Sequence, residues 1–334
     1  ANKWFNRYLQ TNDLQHLQSS VSILSSVYQS ITPLIHSLKT IQLEDVSPSL
    51  AEIHNETDLA MPGQSTPSHG EKSNVFISSI ESEVSVLMSI QHPRKIKMIG
   101  SDGNKYTFLL KAHEDTRLDQ RVMQYFKLIN TIIEHKKWNS LPLKNHLSIT
   151  TYKVIPLANE VGLIGWVQNC TTIYSTIVQY RKSRGLDLSI ERDACYKTAG
   201  SEANYLNMDV KGKVQAFIRG CSETPGNEIQ NTLLHYSENS EHWLKRRTSY
   251  TATLALTSFA GYILGLGDRH CDNIMIDNTS AKLVHIDFGE CFEETFHRKV
   301  MPERVPFRLT RMLQNALEVS KIEGTFRTTC ENVM

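Results

Sequence analysis

The sequence lacks an excess of charge of either sign, closely spaced cysteines and a strongly apolar run. Its 334 residues carry 36 Lys and Arg against 35 Asp and Glu, a formal net charge of +1. That balance excludes nucleic-acid binding through an overall basic surface. Six cysteines without a C-x-x-C spacing disfavour a zinc ribbon or a disulfide framework, and they predict reduced thiols in a cytoplasmic protein.

One uncharged stretch, residues 249–267, has the length of a membrane span. Thr, Ser and Gly make it only weakly hydrophobic, so we predict a helix buried on all faces and no transmembrane segment. The chain begins at Ala1 and ends at Met334 without a terminating signal. We therefore expect it to be part of a longer protein.

The periodicity of apolar residues predicts an α+β fold of two lobes. Apolar spacing predicts helices over 3–10 and 14–38, with Pro33 expected to kink or break the second. We divide the chain into a helical segment (1–46), a Pro- and Gly-rich linker (47–73), a small β-rich lobe (74–164) and a larger helical lobe (165–334). Strands are predicted over 75–80, 84–88, 95–99, 106–111, 150–157, 163–167, 274–277 and 283–287, and a helix over 115–136.

The chemistry-bearing pattern is Gly265–Asn273 followed by His285–Gly289. Asp268 and Asn273 stand five residues apart on a predicted loop, and Asp287 opens an Asp-Phe-Gly triplet, as in the catalytic loop and metal-binding motif of protein kinases. Hard oxygen ligands suit Mg²⁺ or Mn²⁺, so Asn273 and Asp287 are the candidate metal ligands. Asp268 would orient an acceptor hydroxyl and accept its proton, with His270 assisting. The alternative is a loop whose Asp and Asn only cap turns.

Phosphate binding also needs a fixed cation, and Lys111 ends a predicted strand. Either Glu114 or Asp119, at the start of the next helix, could hold that lysine in place. No G-x-G-x-x-G precedes it, and residues 85–93 stand where a phosphate-covering loop is expected, without its glycines. The alternative for Lys111 is an ordinary solvated lysine.

Five segments resemble the phosphatidylinositol 3-kinase-related protein kinases: 109–124, 162–167, 261–270, 285–289 and 305–312. The resemblance implies a bilobal kinase fold, ATP with a divalent metal, and transfer of the γ-phosphoryl group to serine or threonine of proteins in growth or nutrient signalling. It also implies a C-terminal FATC segment beyond this chain. Two rivals stay open: a phosphoinositide lipid kinase, and a catalytically inactive scaffold with the same fold.

The resemblance assigns nucleotide-binding roles to several residue types. It assigns phosphate binding to Lys111, with Ser89 as a phosphate-loop serine, and it places Asp119 and Tyr152 behind the nucleotide. The hinge that would bond adenine comprises Gly165, Trp166 and Val167. The apolar walls of the adenine slot would be Leu109, Pro93, Met275 and Ile286. For each apolar residue the alternative is an ordinary core position, and for Trp166 the two readings are equally good.

The segment after Asp287 bears on the acceptor. A phosphoinositide headgroup favours a dense basic cluster. Here only Arg298 and Lys299 form one, and Glu290, Glu293 and Glu294 oppose it. A protein hydroxyl is therefore the better acceptor.

Two further segments concern partners. Residues 3–48 resemble the later helices of a rapamycin-binding bundle (FRB-like), but Val21 stands where a key tryptophan is expected. Loss of that aromatic surface predicts weak or absent binding of the rapamycin–immunophilin complex.

Residues 184–226 read as polar and irregular. They match loosely the insert that docks a WD40-propeller subunit in complexes of such kinases, and the alternative is a surface loop. A peripheral location on endomembranes is the alternative to a purely cytoplasmic one.

Overall fold

A computed structural model describes residues 1–54, 59–63, 75–89, 91–135, 147–299, 302–317 and 319–334. The chain divides into two compact units. The sheet unit comprises 1–117 and 153–166, and the helical unit comprises 118–152 and 167–334. Mixed helix and sheet in this arrangement confirms the predicted fold class. The predicted β-rich lobe included 118–135 and 147–152, whereas these described residues belong to the helical unit.

The sheet unit contains an antiparallel sheet in the order β1-β3-β4-β5-β7-β6, with β2 paired to β4. Buried apolar residues on these strands form its core together with Leu43 and Met61, which precede most of the sheet in the chain. The strands are β1 (Thr40–Gln42), β2 (Ile77–Ile80), β3 (Glu83–Val86), β4 (Arg94–Gly100), β5 (Lys105–Ala112), β6 (Val154–Ala158) and β7 (Val161–Gly165).

The hairpin between β4 and β5 follows from turn chemistry. Gly103 has φ 75°, a left-handed conformation that glycine adopts without penalty. The Asp102 carboxylate accepts the Asn104 N–H at 3.0 Å, and Gly100 N–H donates to the Asn104 carbonyl at 2.9 Å. This turn sets the β4–β5 register, in which Lys95 faces Leu109.

Before the sheet the chain forms α1 (Asn2–Thr11) and α2 (Leu14–Ser37). Pro33 lies inside α2, so the predicted break does not occur. Proline removes one main-chain donor, and only four residues of the helix follow it, so the loss stays local.

The predicted linker is only partly described. Residues 55–58 and 64–73 lie outside the described residues. Within 47–54 and 59–63 the chain forms the short helix α4 (Pro48–Ala51), after α3 (Leu43–Val46), and it buries Met61 in the sheet core. The described part of the segment is therefore packed structure and not an extended connection.

The helical unit pairs a small sheet, ordered β10-β9-β8, with a set of helices. Its apolar core joins the small sheet to helices from both ends of the unit. The elements are α5 (Arg117–His135), β8 (Cys170–Thr172), α6 (Ile173–Ser183), α7 (Ile190–Ala199), α8 (Glu202–Asn207), α9 (Val210–Ser222), α10 (Glu228–His235), α11 (Ser240–Leu264), β9 (Ile274–Asp277), β10 (Leu283–His285), α12 (Arg311–Asn315) and α13 (Thr325–Val333).

Helix α11 runs through the uncharged stretch, and its central residues are buried. Two of its buried threonines bond within the helix: the Thr253 and Thr257 hydroxyls each donate to the carbonyl four residues earlier at 2.7 Å. Thr253 Oγ1 also accepts the Leu283 N–H at 3.0 Å, which attaches β10 to the helix. The prediction of a helix buried on all faces therefore holds up to Gly261, whereas Tyr262 and Ile263 are exposed and the helix ends at Leu264. No described helix has the length and apolarity needed to cross a bilayer.

The prediction for residues 184–226 is wrong, because the segment is largely helical (α7, α8 and α9). Ser201 and Asp209, which read as loop residues, are N-caps whose side chains accept the N–H of Asn204 at 3.1 Å and of Gly212 at 2.8 Å. Arg181, almost fully buried, binds Glu191 of α7 and Glu228 of α10, which fixes the segment to the unit.

Candidate active site

The candidate catalytic loop begins where α11 ends. Gly265 closes the helix with φ 59°, and a Cβ there would lie 2.7 Å from the Glu293 nitrogen, so only glycine fits. Gly267 approaches Thr295 so closely that a Cβ would lie 2.2 Å from its hydroxyl oxygen. The two glycines let the loop lie directly against the segment that follows the Asp-Phe-Gly triplet.

Asp268 is held through its main chain. Its φ is 57°, and its carbonyl accepts the His270 N–H and the Asn273 side-chain amide, each at 2.9 Å. Its N–H donates to Glu303 Oε1 at 2.9 Å. These bonds fix where the carboxylate can point.

The Asp268 carboxylate has two cationic or proton-bearing neighbours. Arg298 Nη1 lies 3.3 Å from Oδ1, and His270 Nε2 lies 4.0 Å from Oδ2. His270 Nδ1 accepts the Asp272 N–H at 3.2 Å, so in the neutral ring the proton sits on Nε2, the nitrogen nearer to Asp268. Arg298 also binds Glu290 at 2.8 Å, and Glu290 first and Asp268 second raise the pKa of Arg298.

Asn273 and Asp287 are brought together by the main chain. The Ile286 N–H donates to the Asn273 carbonyl at 3.1 Å, so the residue before Asp287 is bonded to Asn273. Asn273 is buried, and its amide nitrogen is committed to Asp268, which leaves Oδ1 as the atom that would face a cation. Asp287 is exposed at φ 62°. An amide oxygen and an exposed carboxylate are donors that fit Mg²⁺.

No group of three or more His, Cys, Asp or Glu arranged for a metal occurs in the part of the chain that the structure describes. A pair of protein oxygens is nevertheless what Mg²⁺ takes in kinases, where substrate phosphates and water complete the octahedron.

Arg269 is a residue that sequence reasoning missed. Its buried guanidinium donates to the Gly267 and Ile286 carbonyls at 2.8 Å each and to the Asp287 carbonyl. Burial lowers its pKa. One cation thus joins the main chain of the catalytic loop to that of the Asp-Phe-Gly triplet. The signal was its place between Asp268 and His270, but its partners are carbonyls that only the fold brings near.

Behind these loops lie Asp119 and Tyr152. Asp119, buried near the start of α5, accepts the Phe288 N–H at 3.3 Å, and Phe288 packs edge-on against Phe126 with ring centroids 5.5 Å apart. Burial, and then the negative charge of Asp119, raise the pKa of Tyr152 well above its ordinary value. Asp119 therefore holds the Asp-Phe-Gly backbone.

In the sheet unit, Lys111 lies on β5 opposite Gly162. Its Nζ is 2.7 Å from Glu114 Oε2, and its side chain is 14% exposed. Glu114 therefore holds the lysine through an ion pair within the sheet unit. Thr116 packs so tightly on Gly162 that a Cβ there would lie 2.1 Å from its hydroxyl.

The predicted hinge residues begin at Gly165, the last residue of β7. Gly165 N–H donates to the Lys153 carbonyl at 2.7 Å, and Trp166 N–H donates to the Thr107 carbonyl at 2.9 Å. The Trp166 ring is 36% exposed, and Lys95 Nζ lies 4.0 Å from its centroid. The division between the two units falls between Trp166 and Val167.

The remaining predicted nucleotide residues have these places. In the sheet unit, half-buried Leu109 lies opposite Ile164 on β7, Pro93 is buried just before β4, and Ser89 is exposed in the preceding turn. In the helical unit, Met275 on β9 and Ile286 after β10 are half-buried, as is Val167. Partial exposure distinguishes these apolar residues, Pro93 excepted, from the fully buried core.

A cavity of about 120 Å³ borders the catalytic loop in the helical unit. Asp268 and His270 line it on one side, and Glu303, Phe307 and Arg308 on another. The cavity therefore lies directly beside the candidate catalytic loop.

Comparison with known proteins decides the family. The sequence profile described as phosphatidylinositol 3- and 4-kinase matches residues 105–334. The chain belongs to this family. The predicted resemblance to its protein-kinase branch is confirmed, because the chain is 44% identical over 98% of its length to Serine/threonine-protein kinase TOR of Oryza sativa, and 43% identical over 100% to Serine/threonine-protein kinase TOR2 of Saccharomyces cerevisiae.

The fold agrees with that assignment. The solved structure "FAT and kinase domain of CtTel1" superimposes with a TM-score of 0.70 at 28% identity, covering 82% of this chain and 19% of that one. The chain spans 13% of the length of the two TOR kinases.

Proposed function

We propose that this chain is the catalytic part of an ATP-dependent serine/threonine protein kinase of the TOR type, acting in growth or nutrient signalling. The observation that carries the proposal is the bonded arrangement of Asp268, Asn273 and Asp287. The Asn273 side chain bonds the Asp268 carbonyl, and its own carbonyl receives the residue before Asp287. A loop that only caps turns does not need these links.

Each unit contains residues that the family resemblance assigns to ATP. In the sheet unit, Lys111, held by Glu114, supplies positive charge for the phosphates. Main-chain groups around Gly165 and Val167 would bond adenine, and the exposed Trp166 ring offers a stacking surface. Leu109, like Met275 and Ile286 in the helical unit, would supply apolar contacts.

Asn273 and Asp287 would hold Mg²⁺ or Mn²⁺ through their side-chain oxygens. The metal, when bound, neutralises charge on the transferring phosphoryl group. Asp119 and Arg269 hold the main chain around Asp287 in place, through Phe288 N–H and the Asp287 carbonyl respectively. Because these groups are already in position, the free-energy cost of rearranging the site during the reaction would be small.

Asp268 would accept the proton of the acceptor hydroxyl as the oxygen attacks the γ-phosphorus, and it orients that hydroxyl beforehand. His270 Nε2–H, 4.0 Å from Asp268, can donate to the phosphoryl oxygens that carry charge in the transition state. Arg298, whose Nη1 lies 3.3 Å from Asp268 Oδ1, would help to orient the carboxylate toward the acceptor hydroxyl.

A protein hydroxyl is the acceptor that the charges favour. Of the two adjacent cations, Arg298 is already committed to Glu290 and Asp268. Lys299 alone is a weak partner for a phosphorylated inositol ring. The names of the relatives, serine/threonine-protein kinases, agree with this choice.

A WD40-propeller subunit of TOR-type complexes would dock on the 184–226 segment. An exposed apolar stripe on α8 and α9, formed by Leu206, Val210, Val214, Phe217 and Ile218, supports this.

Rapamycin–immunophilin binding would be weak or absent, since Val21 on α2 offers little stacking surface. Tight drug-dependent capture of the full-length protein by the immunophilin would contradict that. A cytoplasmic location, with peripheral endomembrane attachment as the alternative, stays a proposal.

The test compares acceptors. The full-length protein, with γ-labelled ATP and Mg²⁺, is offered a serine/threonine peptide library and, separately, phosphatidylinositol vesicles. We expect label in peptide, and label in lipid alone would overturn the protein-kinase assignment. Asp268→Ala should abolish peptide labelling, whereas Asp272→Ala, an exposed acid on the same loop, should not. Equal labelling by wild type and Asp268→Ala would instead indicate that Asp268 plays no part.

A further inference from the structure

Glu303 lies against the candidate catalytic aspartate although it is far from it in sequence. Its Oε1 accepts the Asp268 N–H at 2.9 Å, and its Oε2 accepts the Thr295 hydroxyl at 3.1 Å. Its own N–H donates to the Thr295 carbonyl at 3.1 Å. Both carboxylate oxygens and the main chain of Glu303 are thus fixed.

The bond to Asp268 falls where the backbone needs support. Asp268 has φ 57°, a left-handed conformation that residues with a Cβ adopt rarely. Its carbonyl side is held by His270 and Asn273, and Glu303 is what holds its N–H. A bond from N–H to a carboxylate is stronger than one between neutral groups.

Thr295 supports the bond between Glu303 and Asp268. It is 1% exposed and packs against Gly267, the residue before Asp268, where a Cβ would lie 2.2 Å from its hydroxyl. Thr295 therefore orients Glu303 and confines the loop at once. The segment that carries Glu303 also lines the cavity beside Asp268 and His270. One bond consequently links the wall of the acceptor cavity to the carboxylate that would receive the acceptor's proton.

We propose that Glu303 is a positioning residue for phosphoryl transfer, which sets the backbone conformation of Asp268 and thereby the direction of its carboxylate. The inference rests on the proposed kinase function. A displacement of a reacting group by about 1 Å costs about 100-fold in rate, so loss of this bond should act on kcat and not on nucleotide binding.

The experiment measures kcat and the KM for ATP of the full-length protein with a serine/threonine peptide. Glu303→Ala should lower kcat about 100-fold and leave the KM for ATP within about twofold. Glu303→Gln keeps an acceptor for Asp268 N–H and can donate to Thr295 Oγ1, so its kcat should stay within about fivefold of wild type. Glu323→Ala, which removes an exposed acid paired with Arg327, is the matched control and should be unchanged.

A double-mutant comparison separates positioning from general support of the fold. In an Asp268→Asn background, Glu303→Ala should lower single-turnover phosphorylation by less than about threefold, because the carboxylate it positions is gone. The inference is overturned if Glu303→Ala keeps kcat within threefold of wild type, if Glu303→Gln is as impaired as Glu303→Ala, or if the loss in the Asp268→Asn background is undiminished.

Should Glu303→Ala not fold, Thr295→Val decides: a kcat reduced threefold or more supports the inference, and an unchanged kcat overturns it. Full activity of Asp268→Asn itself would defeat the proposed function instead, a distinct result.

Discussion

The two units hold their candidate site residues in different ways. In the helical unit, Asp268, Asn273 and Asp287 are tied by main-chain hydrogen bonds and by the buried Arg269. In the sheet unit, Lys111 depends on a side-chain ion pair with Glu114, and Trp166 is partly exposed. Rigid placement suits groups that act in the transition state, and adjustable side chains suit substrate binding. Changes in the helical unit should therefore lower kcat, and changes in the sheet unit should raise the KM for ATP.

The largest effect is expected at the candidate metal ligand of the helical unit. Asp287→Asn should lower kcat roughly 1,000-fold, because one charged oxygen ligand and its electrostatic stabilisation are lost. Half-activation should also need more Mg²⁺. Steady-state kinetics with a Mg²⁺ titration measure both. Asp272→Asn, which alters an exposed acid bonded to Thr172, should stay within about threefold of wild type.

Arg269 comes next. Arg269→Met leaves buried carbonyls without their donor, so the free energy of unfolding should fall by about 3 kcal/mol and kcat by about 100-fold. Thermal denaturation and kinetics of the purified protein test this. Arg327→Met removes an exposed arginine from two surface ion pairs and should change neither quantity appreciably. If the Arg269→Met protein were as stable and as active as wild type, the claim that the helical unit holds its site residues more rigidly than the sheet unit would fail.

In the sheet unit, Glu114→Gln should raise the KM for ATP about tenfold with a smaller change in kcat, because Lys111 loses the charge that holds it. Asp115→Asn is the matched control, since this neighbouring acid binds exposed Arg117 and should leave the KM unchanged. If Glu114→Gln lowered kcat alone, the proposed division of labour between the units would fail.

A smaller effect is expected at the hinge. Trp166→Ala should raise the KM for ATP about fivefold through lost stacking surface, while Lys95→Ala, which removes only the cation over the ring, should raise it less than twofold. Trp243→Ala removes another tryptophan under an arginine, at 4.3 Å, and should leave the KM for ATP unchanged. Fluorescence-detected nucleotide binding gives a second readout.

The smallest effect at neutral pH concerns His285, buried on β10. Burial lowers its pKa from 6.5 to about 3, so the folded protein favours the neutral ring. Above pH 6.5 the ring is neutral in both the folded and the unfolded state, so His285 does not lower the free energy of unfolding. As the pH falls from 6.5 toward 3, the unfolded state binds a proton that the folded state does not, and the free energy of unfolding decreases. Denaturant unfolding at pH 7 and pH 5 should show a loss of about 2 kcal/mol that His285→Leu lacks. An unchanged slope in His285→Leu would contradict the assignment.

The sequence was most informative where the candidate residues form a short linear motif. Asp268, Asn273 and Asp287 stand at fixed spacings on two adjacent turns, so the sequence alone predicts that they lie close together, and hydrogen bonds of Asn273 link them. The partner of Lys111 was undecided, because Glu114 and Asp119 both precede or begin one helix, and only the three-dimensional placement gives Lys111 its ion pair with Glu114.

Other features depended on contacts that local patterns do not encode. Arg269 binds main-chain oxygens, which carry no sequence signature. Glu303 lies 35 residues beyond Asp268. Residues 184–226 looked irregular because capping residues such as Ser201 and Asp209 are also typical of loops.

Single-turnover phosphorylation of a serine/threonine peptide by the ATP-loaded full-length protein tests the central claim most directly. The account predicts that Asp268→Asn slows this step about 1,000-fold while the Kd for ATP stays within about twofold. Equal single-turnover rates for Asp268→Asn and wild type would contradict the claim that the helical unit's loops carry out the phosphoryl transfer.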